Sequence, residues 1–417
     1  MKGVFITSAV CSKCGEKYPH NQVLTVCTKC GGALLFQYDL AQVAETVSKG
    51  VLKKREDTFW KFSELLPLSS PESIVSLGEP YTPVLRFSNG SGTAFGNVYI
   101  KDDGRLPTGT FKARGMAVAV SKLKELGIKR VAIPSAGNAA AALSAYGARA
   151  GMQVYAFMPR DVPESMLKEC VFTGATVQLV DGSISDAAES IRHLKPKYGW
   201  FDISTNRQPY RFEGYKAMAF EIAEQFNWDL PDSIFFPTGG GEGVIGLRKG
   251  FEELIELGWT DKTPRLVIVQ SSGCAPLVKA YNEHESEVKE PWRNAETVAL
   301  GLRVPHPYAS YLILRAVSET KGTAIAVDDR EIISSMKSFF RSGIYACPEA
   351  ASTLAALNKV EDEGIFPPDE KILLYLTGTA MKYLDVMRLD KHEIQMLDKD
   401  AHRKSTPDRS SPRCEAK

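Results

Sequence analysis

No segment of this chain is built to cross a membrane: a spanning helix needs about twenty consecutive apolar residues, and no such run occurs. An excess of either charge is missing too. Lys and Arg number 51 against 50 for Asp and Glu, a formal net charge of +1, so no overall field draws the protein to nucleic acid or anionic lipid. The apolar patch at the start, Val4-Phe5-Ile6, is too short for the core of a signal peptide, and polar Cys-rich sequence follows without a small-residue cleavage site. Nor does the chain repeat itself at a fixed period, which removes solenoids and propellers. These absences lead to the expectation of a cytoplasmic protein acting on a small polar molecule, with neither nucleic acid nor membrane as a partner.

What is present is an ordinary globular composition in a chain too long for one core. Of 417 residues, 44% are hydrophobic and 24% charged. Single domains hold roughly 100–200 residues, so two domains and a small appendage are expected. Val98–Ile100, Val131–Ile133, Val154–Met158, Val177–Val180, Ile234–Phe236, Leu266–Val269 and Ile372–Leu376 read as strands. Between them, Met116–Leu126 and Val244–Leu257 carry apolar residues at helical spacing. Strands alternating with helices predict an α/β fold with mostly parallel sheets covered on both faces. The expected division is 1–45 for a Cys-rich lead-in, 46–224 and 225–390 for two α/β domains, and 391–417 for a polar, disordered tail.

Cys11, Cys14, Cys27 and Cys30 form two Cys-x-x-Cys pairs separated by twelve residues, with Gly15 and Gly31-Gly32 directly after them. This is zinc-ribbon spacing, in which two knuckles complete a tetrahedral four-sulfur site. Reduced thiols or disulfides are the bland alternative, and a reducing compartment disfavours the latter. A closed site of this kind leaves zinc no open position, so the metal is expected to be structural. Cys170, Cys274, Cys347 and Cys414 show no ligand spacing, and the first three are expected to be buried as small apolar residues.

In open α/β sheets ligands gather at the carboxyl ends of the strands. Four loops at such positions carry unusual residues. The first ends in Pro107-Thr108-Gly109-Thr110-Phe111-Lys112-Ala113-Arg114-Gly115, and the second is Ser135-Ala136-Gly137-Asn138. The third is Thr238-Gly239-Gly240-Gly241-Glu242-Gly243, and the fourth is Thr377-Gly378-Thr379. Consecutive glycines let backbone N–H groups converge on an anion while the following helix adds its positive end, so a phosphate belongs at the third loop. Gly241, Gly243 and Gly246 also match a dinucleotide fingerprint. That reading needs an acid after the next strand, where Gln270 stands, and the Gly-Lys-Ser/Thr ending of a P-loop is missing as well.

The four loops, in this order, resemble the signature loops of fold-type-II pyridoxal-phosphate enzymes, the tryptophan synthase β-like group. Ser76-Leu77-Gly78-Glu79-Pro80, Phe212-Glu213-Gly214-Tyr215-Lys216, Gly301-Leu302-Arg303-Val304-Pro305 and the segment 343–353 are similar to the threonine synthase family in particular, as is the Cys-rich start. The resemblance spans about residues 8 to 383. It implies two open, mostly parallel sheets flanked by helices behind a small zinc ribbon, a bound pyridoxal phosphate, an amino-acid substrate and a homodimer. It implies that Lys112 carries the cofactor as a Schiff base and shuttles protons. Phe111, Asn138, Gly239, Gly240, Gly241, Glu242, Gly243 and Thr377 are implied to bind the cofactor, Asn138 at its ring hydroxyl and Thr377 at its pyridine nitrogen. Thr110, Ser135, Ala136, Gly137 and Asn138 are implied to bind the substrate.

The implied reaction converts O-phosphohomoserine and water to threonine and phosphate. The chain departs from the threonine synthase pattern at Ala113, where an Asp is usual, at the triple glycine, and at Ala380. A serine/threonine ammonia-lyase or β-replacement enzyme is therefore the alternative, and a noncatalytic protein using its ribbon for partner contact is one of another class. A threonine synthase must also hold its substrate's phosphate, for which Arg114, Arg160, Arg207, Arg211, Lys216 and Arg303 are the candidates. A carboxylate at Glu242 is compatible with a neighbouring phosphate only if it points away.

Overall fold

The computed structural model describes residues 5–87 and 95–387. The chain begins with β1 (Ile6–Cys11), β2 (Lys17–Tyr18) and β3 (Leu34–Tyr38), an antiparallel sheet in the order β2-β1-β3. Leu34, Phe36 and Tyr38 alternate along β3 and turn one face of this small sheet inward.

Ten further strands follow. They are β4 (Val84–Arg86), β5 (Asn97–Asp102), β6 (Arg130–Pro134), β7 (Gln153–Pro159), β8 (Thr176–Val180), β9 (Phe201–Asp202), β10 (Ser233–Pro237), β11 (Arg265–Ser271), β12 (Thr323–Val327) and β13 (Lys371–Leu376). A four-stranded parallel sheet has the order β8-β7-β6-β9. A six-stranded sheet has the order β12-β11-β10-β13-β5-β4, parallel except at the edge strand β4. The central strand β10 is buried at every residue and β13 at all but its first, so these strands read as continuous apolar runs rather than alternations.

The sheets do not divide at residue 224. β4 and β5 fall inside the segment 46–224 yet are hydrogen-bonded into the sheet formed by the later strands. β5 pairs with β13 over six residues, from Lys371↔Asn97 to Leu376↔Asp102, and this register brings the loop after β5 beside the loop after β13. The expected tail at 391–417 lies outside the described residues.

The helices Lys112–Glu125, Tyr210–Gln225 and Glu242–Glu256 pack on one another at short range because small residues stand at their crossings. A methyl group at Gly214 would overlap the carbonyl of Arg114, and one at Gly246 would come within 2.5 Å of Tyr215 Cβ. A wholly buried ionic network fixes the start of the first helix. Arg114 bonds Asp103 at 2.7 and 2.8 Å and Glu221 at 2.6 and 2.9 Å, and Lys101 bonds Glu221 at 2.6 Å. Tyr375 donates to Asp103 at 2.7 Å. Two cations face two carboxylates, so no net charge is left in the interior.

Candidate active site

Lys112 is the first residue of its helix, and the loop before it is pinned to the strand end opposite. Phe111 N donates to Thr377 O at 2.8 Å, and Thr379 N donates to Gly109 O at 2.9 Å. Thr108 holds φ +64, a costly conformation for a β-branched residue and a mark of a loop shaped by its surroundings. The Lys112 amine sits 4.3 Å from the centre of the Phe111 ring on the wall of a cleft. Burial lowers its pKa to about 8; the Arg211 charge adds to the fall, against Glu242 and Glu349, which oppose it.

The same cleft is lined by Thr110, Phe111, Ser135, Ala136, Gly137, Asn138, Gly239, Gly240 and Thr377, so nine further residues expected at the site meet around Lys112. Ser135 Oγ accepts from Gly137 N and Ala140 N, each at 3.1 Å, which shapes the loop into the helix Asn138–Ala150. Gly137 adopts φ +133, and a methyl group there would collide with Met166.

Gly241, Glu242 and Gly243 lie behind this lining. Gly241 caps the helix Glu242–Glu256 with φ +78, and a methyl group on it would overlap Ile313. A Cβ on Gly240 would come within 2.7 Å of Thr205 Cγ2, and one on Gly239 would meet the Gly301 carbonyl, so the loop has room only for glycine. Asn206 clamps it, donating from Nδ2 to Gly240 O at 2.6 Å and from its backbone N to Glu242 Oε1 at 2.9 Å. The Glu242 carboxylate is buried against Arg211 in an ion pair. Its partners are thus a buried guanidinium and the backbone N–H of Asn206.

Glu349, Tyr383, Cys347 and Asn206 carried no site role in the sequence reading. Glu349 lines the cleft, and its Oε1 accepts from Gly301 N at 2.7 Å and from the Tyr383 hydroxyl at 2.9 Å. That hydroxyl accepts in turn from the amide of Asn138. Glu349 Oε2 and Asn138 Oδ1 are buried without a partner. Cys347 is buried as expected, but it also caps the helix Pro348–Asp362 and lines the cleft, 4.0 Å from Thr377 Oγ1. Glu349 falls in the segment 343–353 that carries the family resemblance, so a signal was there without an assignment, whereas Tyr383 lies at the edge of the span that the resemblance covers. Asn206 had none.

In the N-terminal ribbon the sulfur atoms of Cys11, Cys14, Cys27 and Cys30 lie within 4.8 Å of one another. The turns are closed by Gly15 N→Cys11 O at 3.0 Å and Gly31 N→Cys27 O at 2.9 Å, with positive φ at both glycines. Tyr311 fastens the ribbon to the larger body, its hydroxyl lying 2.7 Å from Ser12 Oγ and 3.0 Å from Ala33 N. The Tyr210 hydroxyl adds a bond from Leu24 N at 2.8 Å.

A family model described as pyridoxal-phosphate dependent enzyme matches residues 75–378, which contain every wall of the cleft. Maize serine racemase shares the fold, with a TM-score of 0.63 over 75% of this chain and 90% of that one at 21% identity. The class is thus the pyridoxal-phosphate-dependent enzymes of fold type II. The threonine synthase of Methanocaldococcus jannaschii is 36% identical over 376 residues, 89% of this chain and 92% of that protein. That of Methanosarcina acetivorans is 35% identical over 375 residues, 89% and 91% respectively. Within its class, this chain belongs to the threonine synthase family.

Proposed function

We propose that this protein is a threonine synthase, converting O-phosphohomoserine and water to threonine and phosphate. The observation that carries the reading is the convergence of Lys112, the Ser135–Asn138 loop, Gly239-Gly240 and Thr377 on one cleft, in a chain 36% identical to such an enzyme over 89% of its length. The residues fit pyridoxal phosphate. The loop at Gly239 and Gly240 leaves no room for a Cβ but presents N–H groups at a helix start, and Asn138 Oδ1 is a buried acceptor awaiting a donor.

When bound, pyridoxal phosphate supplies the electron sink that makes proton loss at the substrate's Cα and Cβ accessible. This chain's residues do the rest. Gly239, Gly240, Gly241 and Gly243 hold the cofactor phosphate with backbone N–H groups, helped by the helix that Glu242 opens. Ser135, Ala136, Gly137 and Asn138 hold the substrate carboxylate at a second helix start, with Thr110 alongside. Lys112, whose pKa of about 8 lies close to neutrality, takes and returns protons at the substrate carbons. Thr377 offers the pyridine nitrogen a neutral hydroxyl, and Phe111 packs beneath the amine. Overall Cβ loses a proton and gains the water's hydroxyl, while Cγ loses phosphate and gains a proton; Cα loses its proton and recovers it.

The four ribbon cysteines would hold one structural zinc, since four converging thiolates make a closed tetrahedral set. The proposed division follows the sheets: the ribbon, a small lobe around β6–β9, and a large lobe of β4, β5 and β10–β13. A homodimer in the cytoplasm, free of nucleic acid and membrane, completes the reading; among the described residues no helix is long and apolar enough to cross a membrane. Purified enzyme given O-phosphohomoserine, threonine and serine separately tests the reaction. Phosphate and threonine from the first alone are expected, whereas ammonia from the others would replace this reading with an ammonia-lyase.

A further inference from the structure

We propose that the space between the ribbon and the body is a second ligand site, which takes a neutral α-amino acid with an apolar side chain and passes its occupancy to the cofactor loop. The proposal needs the cofactor site but no particular reaction at Lys112.

The ribbon does not close fully on the helices behind it. A space of about 240 Å³ remains between Val10, Leu35 and Gln37 on its strands and the helices Glu242–Glu256 and Ser310–Glu319. Leu35 and Gln37 alternate with the inward residues of β3, so they stand on the face that meets this space. It would hold about eight waters, room for a small organic molecule but not for a nucleotide or a peptide.

Its lining is part apolar and part charged. Val10, Leu35, Ile245, Leu312 and Ala316 supply an apolar wall. Of the cations beside it, Lys249 is committed inward, to Glu213 at 3.3 Å and to Glu253. Arg248 is shared: its Nη2 lies 2.9 Å from Glu252 and 3.3 Å from Glu319, and its Nε is buried without a partner. One guanidinium between two carboxylates leaves one negative charge uncompensated. Arg315 makes no ion pair among the described residues, even with Glu319 one helical turn away. A lone guanidinium and a surplus carboxylate beside an apolar wall suit a zwitterion with a hydrocarbon side chain: carboxylate to Arg315, ammonium to Glu319, side chain against Leu35 and Leu312. A simple anion would use neither the surplus carboxylate nor the wall.

Both helices of this site touch the cofactor loop. Glu242–Glu256 is capped by Gly241, and Ile313, the residue after Leu312, packs so closely on Gly241 that a methyl group there would overlap it. A ligand seated against Ile245 and Leu312 therefore bears on the packing that shapes the phosphate loop.

The test is calorimetric titration of wild-type holoenzyme with L-valine, L-leucine, L-isoleucine and L-methionine, repeated on Arg315→Ala, Glu319→Gln and Gln37→Trp. At least one amino acid is expected to bind saturably, one per chain, with Kd below about 1 mM. Its N-acetyl derivative and its decarboxylated amine each lack one charge and should bind at least about tenfold more weakly. Each variant should weaken binding by a similar factor while keeping the visible cofactor band; Gln37 is exposed on β3, so the tryptophan fills the space without disturbing the core. The bound amino acid should change the affinity of apoenzyme for pyridoxal phosphate by about fivefold or more, and linkage requires the same factor in its own Kd between apoenzyme and holoenzyme. No binding by any of the four up to about 10 mM overturns the proposal. Binding undiminished in all three variants does so too, since it places the amino acid in the Lys112 cleft. Inorganic phosphate binding here more tightly than the amino acids would make this an anion site instead. Equal amino-acid affinity in apoenzyme and holoenzyme overturns the link to the cofactor loop.

Discussion

Stripping the cofactor and timing its recapture across a range of pH reads the Lys112 amine directly, because only the neutral amine attacks an aldehyde. An ordinary lysine has a pKa of 10.5, whereas burial and the Arg211 charge bring this one to about 8. At pH 7 the neutral fraction is then about one in eleven instead of about one in three thousand, a gain of about 300-fold in capture rate. The rate should climb with pH and level off above about 8. Glu242→Gln gives the sharper test, since it removes a carboxylate that raises the Lys112 pKa and leaves the opposing Arg211 charge in place. Its midpoint should fall below that of wild type. The linked effect on stability has a definite sign. Between about pH 8 and about 10.5 the unfolded apoenzyme binds the proton that folded Lys112 does not, so this group's contribution to stability rises with pH across that window. A wild-type midpoint near pH 10, or an upward shift in Glu242→Gln, would refute the account of how the pocket tunes its amine.

Other consequences are as direct. Gly241→Ala, which forces a side chain into φ +78 and against Ile313, should weaken cofactor binding at least about tenfold by visible titration; unaltered affinity would remove this loop from the cofactor site. Metal analysis should find one zinc per chain, and a chelator should lower the thermal midpoint as the ribbon comes apart. Protein free of metal and indifferent to chelation would show that the four cysteines act only as thiols. Asp103→Ala leaves Arg114 half-paired in the interior and should cost about 3–5 kcal/mol in urea unfolding. A loss below about 1 kcal/mol would mean that the network rearranges around the gap.

Much of the fold was legible in local pattern. All seven expected strands fall within β5, β6, β7, β8, β10, β11 and β13. β12 escaped because alanines alternate along Thr323–Val327 and weaken its apolar signal, and β9 because it has only two residues. The Lys112 helix starts before the expected Met116 because its first turn contains Arg114, a charged residue buried by partners rather than by apolarity. Periodicity has no means of seeing such a position. The site divides the same way. The glycine loop and the Lys112 loop were visible as turn chemistry, whereas Glu349, Tyr383 and Asn206 act through partners remote in the chain.

By itself the sequence determined the alternation of strand and helix, the four loops at strand ends and the cysteine knuckles, since each follows from spacing within a few residues. Tertiary structure alone decided that β5 joins β13 and that Glu242 turns to Arg211. The reason is electrostatic as well as topological: whether a charge is free to meet a ligand depends on the partner that folding brings beside it, and that partner lies elsewhere in the chain.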